Sequence, residues 1–179
     1  MPKPFNELTL DEFTDLVNQF PFTRRIESVH MHHTWRPNHA DFAVRPGLPT
    51  IEGIFNFHTQ VNHWSDIAQH VTIDPNGKIW TGRNWNVAPA SSTGFNGTAA
   101  AGPFMFETIG DFDEGQDPFD GAQKQSVIGV VAAVLKRFSL PVEAVRFHNQ
   151  MSPKTCPGTA IKRDGSGDRV RYWCPNCQQ

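Results

Sequence analysis

The chain has 179 residues, 38% of them hydrophobic, enough for one domain with a full core and too few for two ordinary ones. Sixteen basic residues against 18 acidic ones give a formal net charge of -2, with no basic stripe of the kind a nucleic-acid backbone requires. No apolar run is long enough to span a membrane, and the start Met1-Pro2-Lys3-Pro4-Phe5-Asn6 lacks the apolar segment that follows the basic start of a secretory signal.

From the N-terminus, Leu8 to Phe13 reads as a helix start. Thr9 is the N-cap, Glu12 closes a capping box, and Leu8 staples against Phe13. Leu10, Phe13, Leu16, Val17 and Phe20 then recur at helical spacing, predicting an amphipathic helix over 8–20 that Pro21 stops. Arg25 to His33 fits a strand, which puts Ser28, His30 and His32 on one face and Val29, Met31 and His33 on the other. Asp41 to Pro49 reads as a loop, and a second helix begins near Thr50 with Ile51, Ile54, Phe55, His58 and Val61 on its apolar side.

Trp64 to Ile73 is expected to enter another strand. Asp74-Pro75-Asn76-Gly77 then turns the chain into Lys78-Ile79-Trp80-Thr81 as a hairpin. Residues Asn84 to Pro103, rich in Ser, Gly, Ala and Asn, read as an extended surface loop lining a groove. Phe104 to Gly110 is apolar enough for a central strand, and Asp111 to Gly121 is an acidic loop. Val127, Val130, Val131, Val134, Leu135 and Phe138 follow a helical period over 122–138, where the pattern outweighs valine's poor helix propensity. Glu143 to Phe147 is a last short strand that delivers His148. The expected fold class is therefore α/β: a mixed central β-sheet flanked by helices. It forms a domain over 1–163, and the tail over 164–179 carries the Cys174/Cys177 pair of Cys174-Pro175-Asn176-Cys177.

The chemistry concentrates after that last strand. His148, Lys154 and Cys156 lie close in sequence, with Ser152-Pro153 and Cys156-Pro157-Gly158 forcing turns that bring them to one spot. Imidazole and thiolate are favoured zinc ligands, and a catalytic zinc needs a third protein ligand and an open position. A histidine-tipped strand beside the one delivering His148 supplies it, from His30 or His32. With an odd number of cysteines, a disulfide framework cannot account for them all.

His32-His33-Thr34, Trp64-Ser65-Asp66-Ile67, the run Asp74 to Arg83, and His148 through Cys156-Pro157-Gly158 together resemble the zinc-dependent N-acetylmuramoyl-L-alanine amidases of the type-2 class. These share a fold with animal peptidoglycan-recognition proteins and amidase-type phage lysozymes. The resemblance runs from about Ile26 to Gly158 and implies a peptidoglycan-recognition-protein-like amidase fold. It implies His32, His148 and Cys156 as zinc ligands, and Lys154 as a charge-stabilising residue. The family's Asp-Ile-Gly-Tyr-His-Phe pattern stands here as Asp66-Ile67-Ala68-Gln69-His70-Val71, so Gln69 occupies a catalytic position where an amide does neither acid nor base work. His70 or His33 is then the candidate proton shuttle. Trp35, Arg83 and Trp85 are the candidates for a sugar-peptide groove.

The implied reaction is zinc-dependent hydrolysis of the amide joining N-acetylmuramic acid to L-alanine, as in cell-wall lysis by an endolysin or in remodelling. The alternative is a muropeptide-recognition module of the same fold that binds without cutting, for which Gln69 speaks. The expected partner is peptidoglycan or a muropeptide, with no nucleic acid and no membrane span. A monomer made in the cytoplasm is expected, reaching the wall after lysis or by non-classical delivery.

Overall fold

A computed structural model describes residues 3–161. The Cys174/Cys177 pair and the tail over 164–179 lie outside them. Ten regular elements follow in order: β1 (Glu7–Leu8), α1 (Leu10–Gln19), β2 (Arg25–His33), α2 (His39–Val44), α3 (Leu48–Asn56), β3 (Val71–Ile73), β4 (Ile79–Thr81), β5 (Ala101–Thr108), α4 (Gly121–Phe138) and β6 (Val145–Phe147). The strands form one mixed sheet in the order β1-β4-β3-β5-β2-β6. β3, β5, β2 and β6 run parallel, while β4 is antiparallel to both β3 and β1. This is the expected mixed sheet flanked by helices. Among the described residues, no helix is long and apolar enough to cross a membrane.

Alternation along the strands assigns the two faces of the sheet. Val29 and Met31 of β2, Phe104 and Phe106 of β5, Val71 and Ile73 of β3, and Val145 and Phe147 of β6 all face the main core. There they meet Phe13 and Val17 of α1 and the valines of α4. Gly129 lets the two helices touch, since a Cβ there would fall 2.3 Å from Leu10 Cδ2. A smaller cluster of Phe42, Ile51, Ile54, Ile67, Trp80 and Ile109 packs α2 and α3 elsewhere against the sheet. His30, His32, Thr72 and Glu107 occupy the alternate strand positions and share the sheet face turned away from α1 and α4.

Several boundaries differ from the sequence reading. The first helix keeps its Thr9–Glu12 capping box but spans Leu10–Gln19 rather than 8–20, because Glu7 and Leu8 pair with β4 as a short strand. The stretch 41–49 is not all loop: Asn38 and Asp41 form a second capping box that starts α2, and Phe42 buries under it. The strand expected from Trp64 is extended only over Val71–Ile73. Upstream, the Gln69 and His70 carbonyls are taken by Arg83 and Gly82, and the Ala68 carbonyl by Ala90, leaving no ladder. β5 starts at Ala101, inside the stretch read as loop, and 142–144 is a short 3-10 turn before β6.

Candidate functional site

The C-terminal ends of the parallel strands converge on one cleft, where open α/β sheets place their sites. β6 pairs with β2 so that Phe147 lies opposite Met31, and the next residue, His148, comes up beside His32. Their ring centroids are 4.3 Å apart. The turn through Pro153 then returns the chain so that Cys156 Sγ accepts a hydrogen bond from the His33 N–H at 3.3 Å. One donor atom from each of His32, His148 and Cys156 lies within 4.8 Å of the other two, and all three residues are buried. His30 instead turns Nε2 to Ser28 Oγ at 3.1 Å. Between the two histidines that spacing left open, the fold gathers His32.

The donor set fits a zinc ion. Burial, and after it the neighbouring His148, holds His32 well below the usual histidine range. Burial and the Lys154 ammonium lower His148. Both rings are thus neutral and free to donate lone pairs. Burial pushes the Cys156 thiol up to about 12, so without a cation it keeps its proton. Two neutral imidazoles and a thiol, with donor atoms within 4.8 Å of one another, are ligand types that a zinc ion takes, and its ligands stand roughly 3–4 Å apart.

Around the cluster lies a cleft of about 600 Å³, lined among others by Ser91, Trp64, Pro153, Lys154 and Glu107. Glu107 is a functional candidate that the sequence reading missed. It lies in register with His32 on one side and Thr72 on the other, so its carboxylate stands on the sheet floor beside the cluster. Burial raises it from the ordinary glutamate value to about 8. The signal was a lone acid in an otherwise apolar central strand, Phe104-Met105-Phe106-Glu107-Thr108-Ile109.

A second cavity of about 610 Å³ shares Thr34, Trp35, His58 and Glu107 with the first and extends between α3 and the Arg36–Arg45 segment. His58 stands at the junction. Its Nδ1 accepts the Ala68 N–H at 3.2 Å, so the ring proton is on Nε2. Burial and the Arg83 charge lower its pKa to about 4. Sequence periodicity placed His58 on the apolar side of its helix and gave it no further role. Trp35, a sequence candidate, lines both cavities at 61% exposure with φ +57°.

His33, the other shuttle candidate, lines the cleft with Nδ1 accepting the Phe112 N–H at 3.3 Å, whereas Gln69, His70, Arg83 and Trp85 are not brought into it. Gln69 is fully buried, outside the residues lining either cavity, and its Nε2 donates to Thr72 Oγ1 at 2.8 Å. His70 is fully buried with both nitrogens engaged: Nδ1 accepts the Met105 N–H at 3.1 Å, and Nε2 donates to the Val87 carbonyl at 2.9 Å. Arg83 spends its guanidinium on the carbonyls of Ile67, Ala88 and Asp66, a pin between loops rather than a groove cation. Trp85 is core: Phe13, Phe20, Phe22 and Phe104 surround its ring, because so large an apolar surface is worth more buried than exposed. The 84–103 loop does reach the cleft, but through Ser91 and through Ser92, whose hydroxyl lies 3.5 Å from His32 Nε2.

The mixed sheet is a fold that solved amidases and peptidoglycan-recognition proteins share. The chain belongs to the N-acetylmuramoyl-L-alanine amidase family, whose profile matches residues 22–159. It is 25% identical over 127 residues to peptidoglycan-recognition protein SC2 of Drosophila melanogaster, an alignment covering 70% of this chain and 63% of that protein. It is 27% identical over 100 residues to the endolysin of Escherichia phage T7, covering 56% of this chain and 64% of the endolysin. This chain thus spans less than two thirds of the length of either relative. Among solved structures it resembles the endolysin N-acetylmuramoyl-L-alanine amidase LysCS from Clostridium intestinale, with a TM-score of 0.58 and 25% identity over 76% of each chain.

Proposed function

We propose that this chain is a zinc-dependent amidase that hydrolyses the amide bond between N-acetylmuramic acid and L-alanine in peptidoglycan. The carrying observation is the juxtaposition, in one cleft, of a buried His32–His148–Cys156 donor set with the Glu107 carboxylate and the Lys154 ammonium. His32, His148 and Cys156 would hold the metal, which when bound supplies Lewis acidity toward the scissile carbonyl and toward water.

The protein's own groups do the rest. Glu107, which burial alone raises to about 8 and a cation held by the neighbouring cluster would lower again, takes a proton in its ionised form from the attacking water and returns it to the departing amine of L-alanine. Lys154, an exposed cation on the rim, opposes the negative charge that develops on the carbonyl oxygen. The His58 Nε2–H is available to orient a substrate carbonyl where the two cavities meet, and Trp35 offers an apolar platform there for sugar or peptide. The rival reading, a module that binds muropeptide without cutting it, drew its support from Gln69. With Glu107 on the neighbouring strand, the cleft has the acid–base group that an amide lacks. We place its action at the cell wall, as a monomer.

The test is mass spectrometry of products from a defined muropeptide incubated with zinc-loaded protein. Release of a free peptide beginning at L-alanine supports the amidase; a substrate bound but left intact would sink it in favour of recognition.

A further inference from the structure

We infer that Asp113 is a positioning residue for the metal cluster: its carboxylate clasps the chain on both sides of Cys156 and so fixes where the thiol stands. This rests on the metal reading above.

Cys156 lies in a stretch, 151–161, that contains no helix or strand. A ligand in such a segment has to be held from outside. Asp113 does this from the acidic loop: Oδ2 accepts Thr155 Oγ1–H at 3.1 Å and Oδ1 accepts the Thr159 N–H at 2.9 Å. Its neighbours extend the seam, with Ala160 N–H donating to the Phe112 carbonyl at 3.0 Å and Glu114 N–H to Thr159 Oγ1 at 2.9 Å. Gly158, at φ +122°, lets the two backbones close, since a Cβ there would lie 2.4 Å from Phe112 O.

The same segment also holds the other side of the thiol. Phe112 N–H donates to His33 Nδ1 at 3.3 Å, and His33 N–H in turn points at Cys156 Sγ. The end of β2, which carries His32, and the loop that carries Cys156 are thus tied to one short piece of chain. Among the described residues Asp113 makes no ion pair, and both of its partners are neutral groups flanking the ligand. A carboxylate so placed orders the chain rather than neutralising a cation.

Groups that orient ligands without touching the metal commonly set affinity by about 10- to 100-fold. The test compares zinc affinity, by competition with a chelating dye, for the wild-type chain, Asp113→Ala and Asp113→Asn, together with the absorption of their cobalt-substituted forms. Asparagine can keep both contacts, its oxygen toward the Thr159 N–H and its NH2 toward the Thr155 hydroxyl oxygen, while losing the charge. We expect Asp113→Ala to weaken zinc binding by about 10-fold or more and to dim the thiolate-to-cobalt band at equal cobalt saturation. Asp113→Asn should stay within about threefold of wild type. Undiminished zinc affinity in Asp113→Ala would overturn the clasp, and so would equal losses in both variants, which would assign the effect to charge. A wild-type chain that takes up no zinc would instead overturn the metal reading itself.

Discussion

His32 in β2 and His70 just before β3 are both buried histidines, at 2% and 0% exposure, and burial depresses both pKa values. Their surroundings differ in what is left over. His70 has given one nitrogen to a main-chain N–H and the other to a carbonyl, so it is a neutral pin that closes the backbone between β3, β5 and the 84–100 loop. His32 has one long contact to a serine hydroxyl and faces a second imidazole and a thiol. Burial and a shifted pKa alone do not separate a ligand from a structural histidine. Unspent donor capacity, gathered with other unspent donors, does.

The largest test of that contrast is His148→Ala. It should abolish zinc retention and the clearing of peptidoglycan suspensions together, while His70→Gln keeps bound zinc; full clearing by His148→Ala would end the metal hypothesis. Next, Glu107→Gln should keep zinc but lower kcat by about 100- to 10,000-fold, the usual worth of acid–base help. Rates measured on zinc-saturated protein decide it, and a loss below tenfold would remove Glu107 from the proton path.

A third test reads stability. Unfolded, His70 protonates near pH ~6.5, whereas in the fold burial lowers it to about 3. Between those values the unfolded chain binds the extra proton, so stability is full above pH ~6.5 and falls as the pH drops toward 3, by a few kcal/mol in all. His30 and His58, each lowered to about 4 by burial, add to the same slope. Denaturant midpoints at pH 7 and pH 5 should therefore converge in His70→Gln relative to wild type, though not fully. The smallest effect belongs to Gln69: Gln69→Met should leave the hydrolysis rate within about threefold, far less than acid–base catalysis is worth. A larger loss would return position 69 to the catalytic machinery.

How much was readable beforehand varied with how local the cause was. β2 came through with its ends intact because nine residues alternate without a helical period, and α4 because its valines repeat at helical spacing. The β3–β4 hairpin followed from its Asp74-Pro75-Asn76-Gly77 turn: Asp74 accepts from Asn76 N–H, Lys78 N–H and Trp80 Nε1–H. Arg83 and Trp85 were misleading because an arginine and a tryptophan beside a polar loop look like a binding surface. Which carbonyls or rings will surround them is set by distant segments. Glu107 was passed over for the opposite reason, being one acid in an apolar strand whose neighbours are unknown until the strand order is known.

The sequence alone determined the class of fold and the grouping of His148, Lys154 and Cys156, because helical and strand periods, turn residues and the compact His148–Cys156 loop are local facts about the chain. The tertiary structure brought His32 to that loop, as the resemblance implied and spacing alone could not, and it alone decided which acid stands beside it. It also showed that position 70 is a pin. Those outcomes depend on β5 lying between β2 and β3, and on Phe147 pairing with Met31. Spacing along one strand sets which of its side chains share a face, whereas which strands become neighbours sets which side chains meet across that face, and no spacing along the chain encodes the strand order.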